Sequence, residues 1–201
     1  MSRPDPLILA FDTSAAHCAV ALLLGPDIRV KVEPMARGQA ERLMPLLEEM
    51  LAEADLKWGD LDALGVGIGP GNFTGIRIGV SAARGLALGL EIPAIGVSNF
   101  EAAAHGTTGV ERVVIPAPQG MAYVQHVYGK RTAPELVRAA EVLGKNTLHA
   151  DQIPPEERVR NMAVIAAQRR HETHPPPAPL YIKPADAAVS SEPPVVILDD
   201  A

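Results

Sequence analysis

Residues 65–90 read GVGIGPGNFTGIRIGVSAARGLALGL and hold eight of the chain's seventeen glycines. A short apolar run, a Gly-Pro-Gly-Asn cluster and a helix-spaced segment predict strand, turn and helix in succession. A glycine inside a helix costs roughly 1 kcal/mol relative to alanine. Something drawn close to the backbone, a ligand or another helix, must offset that cost. The turn at 69–72 lies where a strand runs into a helix N-terminus, a place that favours anions because its N–H groups are unpaired and the helix dipole is positive there. The named phosphate fingerprints are nevertheless absent from this run. Gly75 is followed by Ile76 and Arg77 instead of Lys and Ser/Thr, and no three glycines stand at i, i+2 and i+5.

The helix is more informative than the turn. At i, i+4, i+7 spacing one face collects Gly75, Gly79, Ala82, Leu86 and Gly89. Its neighbour collects Ile76, Val80, Ala83, Ala87 and Leu90, an apolar stripe for the core, and Arg77, Ser81 and Arg84 lie opposite as a solvated face. The small-residue face is a groove that admits another backbone. It is filled either within the chain, by the helix expected near 39–54, or by another subunit.

Around this segment, apolar runs at 6–11, 17–25 and 28–34 predict an antiparallel meander, with Gly25-Pro26-Asp27 as one turn. GQAERLMPLLEEMLAEADL has helical spacing through Leu43, Leu47, Met50 and Ala54, with Leu46 and Leu51 beside them. Pro45 kinks that helix unless it lies in the first turn. A fourth strand is expected at 61–69, then a short strand and a third helix within EIPAIGVSNFEAAAHG. The second half predicts two strands around Gln119-Gly120, helices in APELVRAAEVLG and PEERVRNMAVIAAQRRH, and a Pro-rich extended end in which PLYIKP docks on the body. The order β-β-β-α-β-α-β-α followed by a mixed half points to an α/β protein with a mixed sheet, flanking helices and two lobes, residues 1–104 and 105–201, the second shortened.

A net charge of −6 argues against broad nucleic-acid contact by this chain alone, since phosphate binding draws on clustered Lys and Arg. The single cysteine, Cys18, precludes an internal disulfide and reads as a small buried strand residue. No apolar run approaches the roughly 20 residues of a membrane span, and the first residues lack a signal-peptide pattern. The cytoplasm is the expected location.

ILAFDTSAAHCAVALL, QAERLMPLLEEML and above all GVGIGPGNFTGIRIGVSAARGLALGLEIPAIGVSNFEAAA closely resemble the TsaB (YeaZ) proteins. These are bacterial members of the glycoprotease-like branch of the ASKHA (acetate and sugar kinase, Hsc70, actin) superfamily, whose fold is ribonuclease H-like. The resemblance is strong over about residues 6–104 and returns weakly at PAPLYIKPADA; the run Gly-Pro-Gly-x-Phe-Thr-Gly-x-Arg-x-Gly at 69–79 carries most of it. It implies a non-catalytic subunit that pairs with a TsaD-like paralogue and a TsaE-like ATPase. Together these install threonylcarbamoyl on the adenosine beside the anticodon of ANN-decoding tRNAs. It further implies tRNA contact only through the complex, a homodimer when alone, no cofactor of its own, and ATP or ADP at the complex interface. The family's first two helices form the dimer interface. By resemblance, Leu43, Leu46, Leu47, Met50, Gly75, Gly79, Ala82, Leu86 and Gly89 are then subunit contacts.

In superfamily ATPases the loop after the first strand carries an acidic residue and glycine beside the phosphates. FDTSAAHC keeps Asp12, Thr13 and Ser14 without a glycine, so with Gly69 and Gly71 it reads either as a vestigial nucleotide loop or as a turn capping itself. A nucleotide-binding ASKHA enzyme is the alternative function. A metallopeptidase is a weaker one, since the catalytic paralogue's pair of histidines four apart has no counterpart among His17, His105, His126, His149, His171 and His174. Where relatives carry Asp-Ala-Arg-x-x-Glu-Val-Tyr, this chain has PAPQGMAY at 116–123, matching only at Ala117 and Tyr123.

Overall fold

The computed structural model describes residues 5–129, 131–142 and 144–182. The end of the expected Pro-rich segment, from 183 onward, lies outside the described residues. β1 (Leu7–Asp12), β2 (His17–Leu24) and β3 (Asp27–Pro34) form the expected antiparallel meander. β4 (Ala63–Gly67) and β5 (Ala94–Val97) extend it in parallel from the other side of β1, giving the order β3-β2-β1-β4-β5. The helices are α1 (Gln39–Ala52), α2 (Phe73–Leu90), α3 (Asn99–Ala104) and α4 (Pro155–Arg169).

β1 is apolar up to Asp12, as a strand covered on both faces must be. Leu9 and Phe11 pack with Val20, Leu22, Leu64 and Val66 under α1 and α2. Ile8 and Ala10 point the other way, with Ala19, Ala21 and Ala63, beneath α4. The alanines on that side let the helix sit low. A Cβ on Gly65 would lie 3.0 Å from the Ala10 Cβ and 3.1 Å from the Ala166 Cβ. So one glycine of the dense stretch serves helix-on-sheet approach.

A second sheet holds β6 (Arg112–Pro116), β7 (Met121–His126), β8 (Glu135–Arg138) and β9 (Thr147–His149) in the order β8-β7-β6-β9. The hairpin β6–β7 turns at Gln119-Gly120, both left-handed, with φ +60° and +70°. Phe100 and Ala103 of α3 join Val113, Ile115 and Ala150 in a third apolar cluster, with Tyr123 packed against it.

Two expectations need correction. APELVRAAEVLG is not a helix: it opens with β8, paired residue for residue with β7, and continues as a short 3₁₀ turn at Ala139–Glu141. Cross-strand pairing overrides a mild helical preference there. The division at residue 104 does not separate two cores either, because α4 returns to cover the first sheet. Pro45 lies inside α1 beyond the first turn. It is exposed, as is Glu41, so the carbonyl it leaves without a helical partner faces water.

Candidate functional site

The loop after β1, the turn after β4 and the start of α3 converge at one end of the first sheet. Asp12 is buried at the tip of β1. Its Oδ1 accepts from the Ser14 N–H at 3.0 Å, and its Oδ2 accepts from the Ser14 hydroxyl at 3.0 Å and meets His17 Nε2 at 3.2 Å. Burial would raise its pKa, but the bonds from His17 and Ser14 outweigh it and hold the carboxyl below the usual carboxylate range. Asn99 Nδ2 donates to Ser14 Oγ and to the Pro70 carbonyl, each at 2.8 Å, and the Asn99 N–H donates to the Gly69 carbonyl at 2.8 Å.

α2 is tied to the same loop. Asn72 caps the helix by accepting from the Gly75 N–H at 2.8 Å, while its own N–H donates to the Ser14 carbonyl at 2.6 Å. The Thr13 hydroxyl donates to the Gly75 carbonyl at 2.7 Å. A Cβ on Gly75 would collide with the Thr13 carbonyl, one on Gly71 with the Ser14 carbonyl, and one on Gly79 would lie 2.8 Å from Thr13 Oγ1. Gly69 holds φ +88°, a conformation that a side chain resists.

Asp12, Thr13, Ser14, Gly69 and Gly71 are therefore brought together as expected. Of the two readings, the self-capping turn accounts for their hydrogen bonds: the Ser14 N–H is spent on Asp12 and the Gly75 N–H on Asn72. The Ser14 hydroxyl is directed at a weakly basic carboxylate and not at His17. Sequence reasoning missed Asn72 and Asn99. A helix-capping Asn ahead of Phe-Thr-Gly was the available signal for the first. Nothing local marks the second, whose partners lie 85 and 29 residues away.

The interface residues need correction in part. Leu43, Leu46, Leu47 and Met50 are at most 1% exposed and face this chain's own core. Gly75 and Gly79 face the Thr13 loop, so their part of the groove is filled from within. Ala82 and Leu86 are half-buried against the core, and Gly89 is exposed with open space around it. The outward face of α2 instead presents Phe73 (43% exposed), Arg77, Ser81, Arg84, Gly85 and Leu88 (83% exposed). This is the face whose arginines suggested plain solvation.

At its start Arg77 lies over the Phe73 ring, 3.8 Å from the centroid, and its Nε donates to the Tyr181 hydroxyl at 2.9 Å. The Phe73 and Tyr181 ring centroids are 5.4 Å apart. Tyr181 belongs to the PLYIKP segment, whose described residues, 179–182, dock as expected: the Leu180 N–H donates to the Ile68 carbonyl at 2.8 Å. Cys18 is buried in β2, and among the described residues no helix is long and apolar enough to cross a membrane.

The family model TsaD, described as tRNA N6-adenosine threonylcarbamoyltransferase, matches residues 32–153. The tRNA threonylcarbamoyladenosine biosynthesis protein TsaB of Escherichia coli K12 is 40% identical over 121 residues, 58% of this chain and 52% of that protein. An uncharacterized protein of Mycobacterium tuberculosis is 32% identical over 196 residues, 90% of this chain and 93% of its own length. The solved structure of YeaZ from Pseudomonas aeruginosa superposes with a TM-score of 0.71 at 25% identity, covering 88% of this chain and 99% of that one. The match thus spans about half the length of the Escherichia coli relative.

Proposed function

The chain belongs to the TsaB (YeaZ) family, and from that membership we propose that it serves tRNA threonylcarbamoyladenosine biosynthesis as a non-catalytic subunit. In this reading it docks on a TsaD-like paralogue in the cytoplasm, with a TsaE-like ATPase joining the pair. ATP or ADP and the tRNA are met only in the assembled complex, where partners supply the basic surface that a chain of net charge −6 lacks.

The observation that carries the proposal is the outward face of α2. Leu88 is 83% exposed between Gly85 and Gly89, neither of which has any other side chain within reach. An apolar side chain standing over bare backbone is a docking surface more than a solvated one. A partner helix can lie against the two glycines and bury Leu88, while Phe73 and Arg77 offer an aromatic and a cationic contact at the other end. Alone, two copies pair through the same face.

The test is co-purification of tagged chain with the TsaD-like protein of its own cell, wild type beside Leu88→Glu. Wild type retains the paralogue and the variant, equally folded by circular dichroism, does not. If wild type retains none, the assignment to a complex fails. Equal retention by both would move the docking surface off α2. Gly79→Leu is unsuitable here, because it reports on the Thr13 loop and not on the outer face.

A further inference from the structure

A cleft of about 460 Å³ lies where the loop after α3, the loop after β7 and the last turns of α4 meet. It shares no lining residue with the Asp12 loop or with α2. Arg131 from the loop after β7 and Arg169 from α4 both line it, and Glu101 of α3 is the one carboxylate that does. Both guanidiniums donate to the same oxygen, Glu101 Oε1, from Arg131 Nη1 at 2.8 Å and from Arg169 Nη2 at 2.6 Å. The other oxygen, Oε2, accepts from the Ser98 N–H and the Ser98 hydroxyl. Glu101 is thereby fully engaged, while neither guanidinium has a second acceptor among the described residues.

Two positive charges are thus held within about two hydrogen-bond lengths of each other, and one negative charge answers them. Both are open to solvent: the Arg131 side chain is 49% exposed and that of Arg169 31%. Convergent guanidinium forks with donors to spare and a surplus positive charge recognise oxyanions. A phosphate monoester suits the pair better than a carboxylate, because its three terminal oxygens accept from both forks at once. The cleft is larger than a phosphate group, and Tyr128 (73% exposed), Val110 and Val127 line it as apolar surface. On a chain of net charge −6 a single phosphate is matched here, whereas an extended polyanion is not. We propose that the cleft binds a small phosphate monoester with a flat apolar body, its phosphate between Arg131 and Arg169 and its body against Tyr128. This site is independent of docking through α2.

Phenyl phosphate is the probe, titrated into the ¹⁵N-labelled full chain and followed by amide and arginine Nε–H shifts. Saturable shifts at Glu101, Thr108, Tyr128, Arg131 and Arg169 are expected, with a Kd of about 1 mM, as suits so few atoms. Inorganic phosphate should move the arginine signals without that of Tyr128, and benzoate should bind about tenfold more weakly than phenyl phosphate. Arg131→Gln, folded by circular dichroism, should weaken phenyl phosphate about tenfold. Tyr128→Ala should weaken phenyl phosphate and leave inorganic phosphate unchanged. Absent or scattered shifts overturn the proposal, as does unchanged affinity for phenyl phosphate in either variant or equal affinity for benzoate. A single-stranded RNA decamer that binds at the same residues more tightly than phenyl phosphate replaces it with a nucleic-acid surface.

Discussion

Gly75 and Gly85 occupy the same helix, so their replacement by alanine separates packing from propensity. Propensity alone favours both changes by roughly 1 kcal/mol. At Gly85 a Cβ meets nothing within 4 Å, so Gly85→Ala keeps that gain, about 0.5–1 kcal/mol. At Gly75 the Cβ collides with the Thr13 carbonyl, which is backbone and cannot rotate away. The loop must then move, at about 1–3 kcal/mol for overpacking. The Thr13 hydroxyl also loses its bond to the Gly75 carbonyl, at about 1 kcal/mol. After the propensity gain, Gly75→Ala is destabilised by about 1–3 kcal/mol. For a chain of this size 1 kcal/mol corresponds to about 2–4 °C in Tm. Gly85→Ala should therefore melt a few degrees higher than wild type and Gly75→Ala several degrees lower. Urea unfolding, with the slope unchanged, gives the two free energies directly. Equal shifts in both variants would refute the claim that Thr13 holds Gly75.

The remaining expectations concern the supports of the same region. Asn72→Ala removes the α2 cap and should cost about 1 kcal/mol in urea unfolding. Arg77→Ala unpins Tyr181, and hydrogen exchange at the Leu180 N–H should quicken while global stability falls by about 0.5–1 kcal/mol. Glu101 is half-buried; burial works to raise its pKa, but the Ser98 N–H and hydroxyl and the Arg169 guanidinium bring it to about 2. A depressed folded pKa means that its stabilisation is complete above the ordinary glutamate pKa and is lost as pH falls from there toward about 2. Asp12, also lowered, acts in the same direction. Stability measured between pH 6 and about pH 3 should fall, and less steeply in Glu101→Gln, which should also be about 2 kcal/mol less stable at neutral pH.

Local pattern carried the meander, α1, α2, α4 and the β6–β7 turn, because apolar period and Gly/Pro punctuation are properties of neighbouring residues. The family was legible in residues 69–79 for a related reason. Asn72, Gly75 and Gly79 serve a loop that approaches the helix within hydrogen-bonding distance, and few other residues fit. What the pattern left open was which partner each face meets. A helical wheel separates the small face from the charged one, yet it cannot say that residues 13–14 fill the first and leave Leu88 bare on the other side. Nor can it pair Asn99 with Ser14, place β8 beside β7, or return α4 to the first sheet. These are contacts between segments distant along the chain, chosen by which packing buries the most apolar surface while pairing the polar groups it traps. The sequence by itself determined most of the elements and the kinship; the tertiary structure decided which glycines are packed against neighbouring segments and which stand in open space.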